Sequence, residues 1–243
     1  MRQLEDYTIA AELARSYARG GYSNCDGFLL SLNKGKPDSK VLWEERPSEG
    51  LLFLQEHPRF YDFFVVGHFQ NPLALPPMDK PVLFTHVRGK MPELSGFAHF
   101  RNACRMELHG GSFPETAEPA AAGDEREILA LLAASLPPVD LPDIIDPHGF
   151  FCIRRNGKIV ACAGADVAGK GCVLAHVAVA ETMRRQGLGS TLLQGALGGA
   201  EKKGAEFFTL WVDEANLAAV RLYERCGFHR TNRTTEQWIK LEE

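Results

Sequence analysis

The sequence lacks the features of several protein classes. It has no apolar run long enough to cross a bilayer, and its net charge of −4 over 243 residues offers no general attraction for nucleic acid or an anionic membrane. The first residues, MRQLEDYTIAAELARSY, mix charges where a secretory signal needs an apolar core. We therefore expect a cytoplasmic protein without nucleic-acid or membrane partners.

The spacing of the cysteines matches no common redox or zinc-binding motif. The six cysteines include no C-x-x-C pair, and no cysteine and histidine residues have the spacing of a zinc site. This pattern predicts reduced, buried thiols rather than disulfides, and it implies no metal.

The chain length suits one large domain or two modest ones, and 45% hydrophobic residues are enough for an ordinary core. The clearest break in composition is PETAEPAAAGDE, residues 114–125, which is rich in proline, alanine and acid. It predicts a linker or a long surface loop. We therefore expect an N-terminal lobe over 1–113 and a second domain over 122–243.

The first lobe has mixed character. Apolar patterns predict strands at DGFLLSL, PVLFTHV and GFAHFRNACRMELHG, and helices at EGLLFLQE and PRFYDFFVVGHF. The prolines between positions 72 and 81 predict a loop.

The second domain has sharper signals. Asp124 is predicted to cap a helix at EREILALLAAS, and the Asn156-Gly157 turn predicts a hairpin within GFFCIRRNGKIVACAGA. The continuously apolar CVLAHVAV and EFFTLWV predict buried strands on either side of a helix at STLLQGALGGAEKKG. A short strand–helix–strand crossover predicts parallel pairing between 172–179 and 206–212. A helix at NLAAVRLYERC and a strand at TEQWIKL complete the order.

The segment MRRQGLGSTLL, residues 183–193, is the first candidate site. It joins a predicted strand to a helix N-terminus, where amides without intrahelical acceptors carry partial positive charge. Gly187 and Gly189 allow close backbone approach, and Arg184 and Arg185 add charge, so the segment suits a phosphate or pyrophosphate. A dinucleotide fingerprint would need glycine at position 192, which is leucine, and the Gly-Lys-Ser/Thr ending of a P-loop is absent.

A second motif follows about one supersecondary unit later. The stretch NLAAVRLYERCGF, residues 216–228, matches the pattern N-x-x-A-x-x-L-Y-x-x-x-G-F, and it follows a Val177-Ala178-Val179 strand and the R/Q-x-x-G-x-G/A loop. In these motifs, over roughly residues 122–241, the sequence resembles the GNAT superfamily of N-acetyltransferases. The resemblance implies an α/β fold with a GNAT-like mixed twisted sheet, helices on both faces, and a second, smaller α/β lobe before it.

The resemblance also implies a site for acetyl-CoA. Amides of the loop would hold the pyrophosphate, and backbone groups of two splayed strands would hold the pantetheine arm. The Val177 amide would polarise the thioester oxygen, and Tyr223 would act as general acid toward the departing thiolate. Asn216 is interpreted mainly as a helix cap. The predicted coenzyme-binding residues are Val177, Val179, Arg184, Arg185, Gln186, Gly187, Leu188, Gly189, Ser190, Asn216 and Tyr223.

The general base has no clear candidate. The family often places an acid or histidine two or four residues before the polarising amide, but these positions are Ala175 and Val173. His176 is predicted to point to the opposite face as a satisfied, partly buried side chain. Asp213 and Glu214 could lie near the acceptor or be merely solvated.

The first lobe is similar, over LLFLQEHPRFYDFFVVGHF, to the degenerate N-terminal halves of tandem GNAT proteins. Such a lobe would bind no coenzyme and would shape the acceptor pocket, with scaffolding as the alternative. The sequence thus predicts an N-acetyltransferase that moves an acetyl group from acetyl-CoA to a primary amine of a small molecule by direct attack. The alternatives are acetylation of a protein lysine or N-terminal amine, and a non-catalytic acyl-CoA sensor. The oligomeric state stays open.

Overall fold

The computed structural model describes residues 2–3, 41–46, 49–67, 78–86, 96–142 and 145–240. The chain forms two compact units. The first comprises Met1–Cys104, Asp213–Ala215 and Asn232–Glu243, and the second comprises Arg105–Val212 and Asn216–Thr231. These limits differ from the predicted 1–113 and 122–243 because two long strands run from one unit into the other.

The first unit is a sheet in the order β1-β2-β3-β4-β5-β12-β6. Its strands are β1 Arg2–Gln3, β2 Val41–Arg46, β3 Gly50–Glu56, β4 Tyr61–Gly67, β5 Val82–His86, the N-terminal part of β6, Ala98–His109 (to Cys104), and the C-terminal part of β12, His229–Lys240. The pair β4 and β5 is parallel, and the pairs β1–β2, β2–β3, β3–β4 and β5–β12 are antiparallel. The strands expected within PVLFTHV and at GFAHFRNACRMELHG are confirmed, whereas DGFLLSL lies outside the described residues.

The two helices predicted in this unit are wrong. EGLLFLQE forms β3, and PRFYDFFVVGHF contains β4. Leu51, Leu52, Phe53 and Leu54 are each at most 3% exposed, so both faces of β3 are buried. A strand buried on both faces has no alternation of polar and apolar residues, and its short apolar run resembles a helix segment.

The second unit has the strand order β6-β11-β10-β9-β8-β7. Its elements are β6 Ala98–His109 (from Arg105 onward), β7 Glu118–Pro119, α1 Glu125–Ala133, β8 Phe150–Arg155, β9 Lys158–Ala168, β10 Gly171–Val179, α2 Leu188–Lys202, β11 Phe207–Asp213 (to Val212) and α3 Leu217–Arg225. Short 3₁₀ turns lie at Pro138–Asp140, Pro147–Gly149 and Glu181–Met183. The predicted order of helix, hairpin, strand, helix, strand, helix and strand is confirmed.

Helices cover both faces of this sheet. On one face, α1 buries Ile128 and Leu132 in a cluster with Phe150, Cys162 and Ala178. On the other face, α2 packs so closely that a Cβ on Gly199 would lie 2.0 Å from the Phe151 ring. Neighbouring residues of a strand point to opposite faces, so Phe150 packs toward α1 and Phe151 packs toward α2.

Two local predictions in this unit have different outcomes. Asn156 and Gly157 both have positive φ, 51° and 77°, as a tight hairpin turn requires. The predicted cap at Asp124 is wrong, because no side-chain bond caps α1. The Asp124 carboxylate instead accepts a hydrogen bond from the Ala121 amide at 2.7 Å and pairs with Arg154.

The predicted linker is held against α2. The segment 113–117, termed the strap, has no regular secondary structure and crosses the helix at its glycines. A Cβ on Gly195 would lie 2.2 Å from the Ala117 amide nitrogen, and one on Gly198 would lie 2.9 Å from the Phe113 carbonyl oxygen. Thr116 also donates a hydrogen bond to the Thr191 carbonyl at 2.5 Å. The strap therefore fixes α2 along its length.

The described cysteines are free thiols, as predicted. Cys104, Cys152, Cys162 and Cys172 are buried and Cys226 is partly exposed. Among the helices that the structure describes, none has the length and apolar character needed to cross a membrane.

Candidate active site

A cleft opens where β10 and β11 part. The two strands pair in parallel only from Gly171 to Val173 with 207–209, although β10 continues to Val179 and β11 beyond Thr209. The predicted parallel pairing is confirmed for these residues and ends there. Beyond them the two strands do not pair with one another, an arrangement that would leave backbone donors and acceptors facing the cleft.

A bulge in β10 lies beside this cleft. Ala175 pairs with Gly164 of β9 and Ala178 pairs with Cys162, so three steps along β10 match two along β9. His176 has a φ of +51°, which is rare for a residue other than glycine. Val177 lies inside the bulge and has no partner in the β9 register. The bulge thus takes the Val177 backbone out of the regular ladder.

The predicted alternation of faces is wrong across this bulge. An extra residue shifts the phase by one, so Ala175 and Ala178 share a face although they are three residues apart. The partly buried His176 ring stacks on Phe150 at 6.2 Å between ring centroids, on the face that carries α1. Its predicted role as a packed, partly buried histidine agrees with this contact.

The loop that follows has the backbone of an anion site. Arg185 and Gly187 both adopt left-handed conformations, with φ of +61° and +81°. Left-handed residues within a turn direct successive amides into a shared concavity. Gly187 precedes the first residue of α2, whose N-terminus has no side-chain cap. The amides of Leu188, Gly189 and Ser190 therefore add the positive end of a helix dipole.

Side chains tie this loop in place. The exposed Arg184 donates from Nε to the Val179 carbonyl at 3.1 Å, which joins the loop to the end of β10. Gln186 donates to the Thr182 carbonyl at 3.3 Å. Arg185 is also exposed. Both arginines thus stand at the surface beside the amides of the loop.

The two loop glycines have different functions. No atom lies within 4 Å of the position that a Cβ on Gly187 would occupy, so this side of the loop is open. A Cβ on Gly189 would lie 3.1 Å from Leu222 Cδ2. Gly189 therefore allows α3 to approach the first turn of α2, a packing role that the sequence analysis missed.

Helix α3 brings Tyr223 to this region. Asn216 caps the helix through a hydrogen bond from the Ala219 amide to Oδ1 at 3.1 Å, as predicted. Tyr223 is 8% exposed and its ring meets Phe228 edge-on at 6.1 Å. Burial, with a smaller effect of Cys226, raises the pKa of Tyr223 to about 12. The phenol therefore keeps its proton at neutral pH.

The profile of the Acetyltransferase (GNAT) family matches residues 111–228, the part of the chain that contains the cleft, the loop and Tyr223. These residues belong to the acetyltransferase (GNAT) family. The GNAT segment coincides closely with the second compact unit.

Individual relatives agree with this assignment. The chain is 38% identical over 79 residues to [Ribosomal protein bS18]-alanine N-acetyltransferase of Escherichia coli (strain K12), covering 32% of this chain and 53% of the relative. It is 39% identical over 94 residues to the mycothiol acetyltransferase of Thermobispora bispora, covering 35% of this chain and 31% of the relative. The chain thus spans about half, or less, of the length of these relatives.

Solved structures show the same fold. A GCN5-related N-acetyltransferase from Sphaerobacter thermophilus superimposes with a TM-score of 0.65 at 16% identity, over 99% of this chain and 94% of that one. The mixed sheet with helices is therefore a GNAT-like fold, as the sequence motifs predicted.

The GNAT segment has no acid or histidine at the positions expected for a base. Val173 pairs with Thr209 and Ala175 pairs with Gly164, both within the sheet. In the first unit, Asp213 accepts a hydrogen bond from the Ala215 amide at 2.9 Å and so closes its own turn. At positions 173 and 175, both among the described residues, the structure therefore offers no base. Within the part of the chain that is described, no group of three His, Cys, Asp or Glu side chains is arranged to hold a metal ion.

Proposed function

We propose that this protein is an N-acetyltransferase that moves the acetyl group of acetyl-CoA to a primary amine of a small molecule. The observation that carries the proposal is the cleft between β10 and β11, which opens beside the loop 184–190 in a segment of the GNAT family. A cleft with exposed backbone groups suits an extended pantetheine arm, and the loop suits the pyrophosphate.

The predicted binding residues fit this ligand. Amides of Arg185 through Ser190 would hold the pyrophosphate, with Arg184 and Arg185 adding charge. The Arg184 amide already donates to the Glu181 carbonyl at 3.2 Å. The open space beside Gly187 leaves room for phosphate oxygens. Val177 and Val179 would present backbone groups to the pantetheine arm. Because the Val179 carbonyl already accepts a bond from Arg184, we expect Val177, which lies inside the bulge, to be the more available of the two.

The reaction is direct aminolysis of the thioester. The amine nitrogen forms a bond to the acetyl carbon, the carbon–sulfur bond breaks, and the electron pair leaves with the sulfur. The Val177 amide would stabilise the charge that develops on the carbonyl oxygen. Tyr223, which is protonated at neutral pH, would give its proton to the departing thiolate. The nitrogen loses a proton to solvent or to the phenolate. Alignment of amine and thioester would supply a large share of the rate.

A protein acceptor is the second candidate. It is favoured by the relative from Escherichia coli, whose name gives the alanine of a ribosomal protein as its substrate. The relative from Thermobispora bispora is named for mycothiol and not for a protein acceptor. A non-catalytic sensor of acyl-CoA is the third candidate, and the lack of a base at positions 173 and 175 favours it.

The test is the release of free coenzyme A thiol from acetyl-CoA by the full chain with a panel of acceptors. The panel contains amino sugars, polyamines, amino acids, and peptides that begin with alanine or contain an internal lysine. We expect turnover with at least one small amine above the hydrolysis rate without acceptor. Turnover only with peptides would replace the small-molecule acceptor with a protein, and coenzyme binding without any turnover would establish the sensor.

A further inference from the structure

The bulge in β10 is a two-residue segment between points of regular pairing. Ala175 pairs with Gly164 before the bulge, and pairing with β9 resumes at Ala178. Only His176 and Val177 lie between these points, and the φ of His176 is +51°. A left-handed conformation is disfavoured for a residue other than glycine, and it persists only where surrounding contacts hold it. The contacts that hold His176 therefore also place the Val177 amide.

The ring of Phe150 provides one of these contacts. Phe150 of β8 pairs with Gly164 of β9, and Gly164 pairs with Ala175 of β10. A Cβ on Gly164 would lie 3.5 Å from Phe150 Cζ and 3.2 Å from the Ala175 carbonyl oxygen, so the ring covers the place of the missing side chain. The ring also contacts the next residue of β10, because the Phe150 and His176 ring centroids are 6.2 Å apart with the ring planes at 20°. The glycine thus allows an aromatic ring to support the bulge.

Phe150 is itself firmly held. It is 6% exposed and lies in one core cluster with Ile128 and Leu132 of α1. Its carbonyl accepts a hydrogen bond from the Ala120 amide at 2.9 Å. Close-packed core side chains occupy defined rotamers and yield little to their neighbours. The His176 ring therefore packs against a fixed surface.

We infer that His176 is a positioning residue: its ring, packed on Phe150, fixes the left-handed turn that takes the Val177 amide out of the β9 ladder and places it for the thioester oxygen. This inference rests on the proposed function, because it assumes that this amide polarises the thioester. It gives His176 no contact with the substrate and no part in proton transfer. Core packing, the simpler role, would stabilise the sheet without affecting the hydrogen bond from the amide.

The first test observes the Val177 amide directly. The full chain is labelled with ¹⁵N-valine, and the Val177 signal is assigned by its loss in Val177→Leu. Acetyl-CoA differs from coenzyme A by the acetyl group alone, so the difference between the Val177 amide proton shifts in the two complexes reports the contact with the carbonyl. We expect the acetyl-CoA complex of the parent protein to show the signal farther downfield.

Two substitutions remove the contact between the rings from opposite sides. His176→Asn keeps a residue type that tolerates a left-handed backbone, and Phe150→Leu leaves His176 unchanged. Each variant should bind both coenzymes within about twofold of the parent, because the loop amides are intact, and should lose most of the shift difference. Circular dichroism confirms that each variant is folded.

Two further variants separate the ring from the backbone and from general packing. His176→Phe keeps a flat ring but tolerates the left-handed backbone less well, and it should keep more of the shift difference than His176→Asn. Ile128→Val is the control, because Ile128 belongs to the same core cluster as Phe150 but lies on α1. It should keep the full difference.

Turnover gives a second readout with the acceptor found in the thiol-release assay. His176→Asn and Phe150→Leu should each lower kcat about tenfold, part of the roughly 10²- to 10³-fold cost of removing one oxyanion-hole donor. The KM for acetyl-CoA should stay within about twofold, because the hydrogen bond matters chiefly in the transition state. The double variant should lie within about twofold of either single variant, because both substitutions remove the same contact.

A shift difference in His176→Asn or Phe150→Leu equal to that of the parent would overturn the inference. So would a larger difference in His176→Asn than in His176→Phe, or fully additive effects on kcat. A parent that acetylates an amine but shows no shift difference at Val177 would overturn the inference and leave the proposed function in place. If acetyl-CoA fails to bind the parent, both fail together. If the difference is present and lost as expected but no amine is acetylated, the proposed function fails and the inference stands.

Discussion

At the scale of single residues, the chemistry of Tyr223 depends on how deeply it is buried. A phenol with a pKa of about 12 stays protonated across the working range of an enzyme. Under the proposed function, the neutral phenol carries the proton that it would donate to the departing thiolate, and it would then become a phenolate. The same burial gives the ring a packing role against Phe228, so removal of the hydroxyl must be separated from removal of the ring.

Tyr223→Phe makes this separation. It keeps the ring, so we expect acetyl-CoA affinity to change little while kcat falls about a hundredfold, the lower end of the range for general-acid assistance. The lower end applies because a thiolate leaves readily without help. Steady-state kinetics with titration calorimetry measures both quantities. An equal kcat in the two proteins would leave Tyr223 as a packing residue only.

Gly187 combines a left-handed backbone with open space on the side where a Cβ would project. Gly187→Val should therefore abolish acetyl-CoA binding, both by straining the turn and by filling the space for phosphate. Calorimetry measures the binding and circular dichroism checks the fold.

Gly204→Val is the matched control for this substitution. Gly204 follows the C-terminal end of the same helix, has a φ of +95° and also has no atom within 4 Å of its Cβ position. It should lose similar stability and keep coenzyme affinity. Retained affinity in a folded Gly187→Val protein would remove the loop from the site.

The turn at Gly187 and the cap at Asn216 could be predicted because each depends on a few neighbouring residues. Glycine at 187 and asparagine at 216 act through the backbone beside them. The bulge at His176 could not be predicted, because a histidine with positive φ is imposed by the two flanking strands and not by its neighbours in sequence.

At the scale of secondary-structure elements, α2 depends on its glycines for contact with the strap. Gly195→Ala would stabilise a free helix by about 0.5–1 kcal/mol, since alanine has the higher propensity. Here its Cβ would meet the Ala117 backbone, so we expect a net loss of about 1–3 kcal/mol in the free energy of unfolding. Urea unfolding followed by circular dichroism measures it.

The control for this helix is Gln194→Ala. Gln194 is exposed and precedes Gly195, so its replacement should change stability by no more than about 0.5 kcal/mol. A higher free energy of unfolding in Gly195→Ala would show that the strap can move aside without loss of stability.

The same elements explain which predictions failed. The strap was expected as part of a linker or a long surface loop, and it has no regular secondary structure. Its contact with α2 was not expected, because that contact needs only backbone and a row of glycines. The strands β3 and β4 were expected as helices because their apolar runs lack alternation. Burial on both faces of a sheet is a property of the neighbouring strands, which a local pattern does not contain.

At the scale of the whole molecule, the thiols report on global unfolding. Burial raises the pKa of Cys152 and of Cys162 from 9.0 to about 12, which lowers their thiolate fraction at neutral pH roughly a thousandfold. In native protein treated with iodoacetamide at pH 8, we expect Cys226 to react slowly. Among the described residues, the four buried cysteines, Cys104, Cys152, Cys162 and Cys172, should be protected. Peptide mass spectrometry resolves the sites. Fast labelling of Cys152 or Cys162 without denaturant would contradict the buried core.

The limits of the second unit predict which fragment folds. Residues 105–231 contain its strand from β6, the strap and both motifs, whereas residues 122–243 lack the strand and the strap and carry a C-terminal strand whose partner β5 is missing. We expect the 105–231 fragment to melt cooperatively and to bind acetyl-CoA. The 122–243 fragment should do neither, as measured by thermal circular dichroism and calorimetry. Equal behaviour of both fragments would restore the boundary expected from composition.

The long strand His229–Lys240 also affects the order in which the chain can mature during translation. Its last residues, 236–240, pair with β5 of the first unit, so the N-terminal half of the protein lacks one of its strands until nearly the whole described chain has been synthesised. N-terminal domains usually fold first on the ribosome. Here all strands of the second unit are synthesised before the first unit is complete, so the second unit can fold first. A premature stop codon after position 231 would therefore unfold the half of the protein farthest from the mutation.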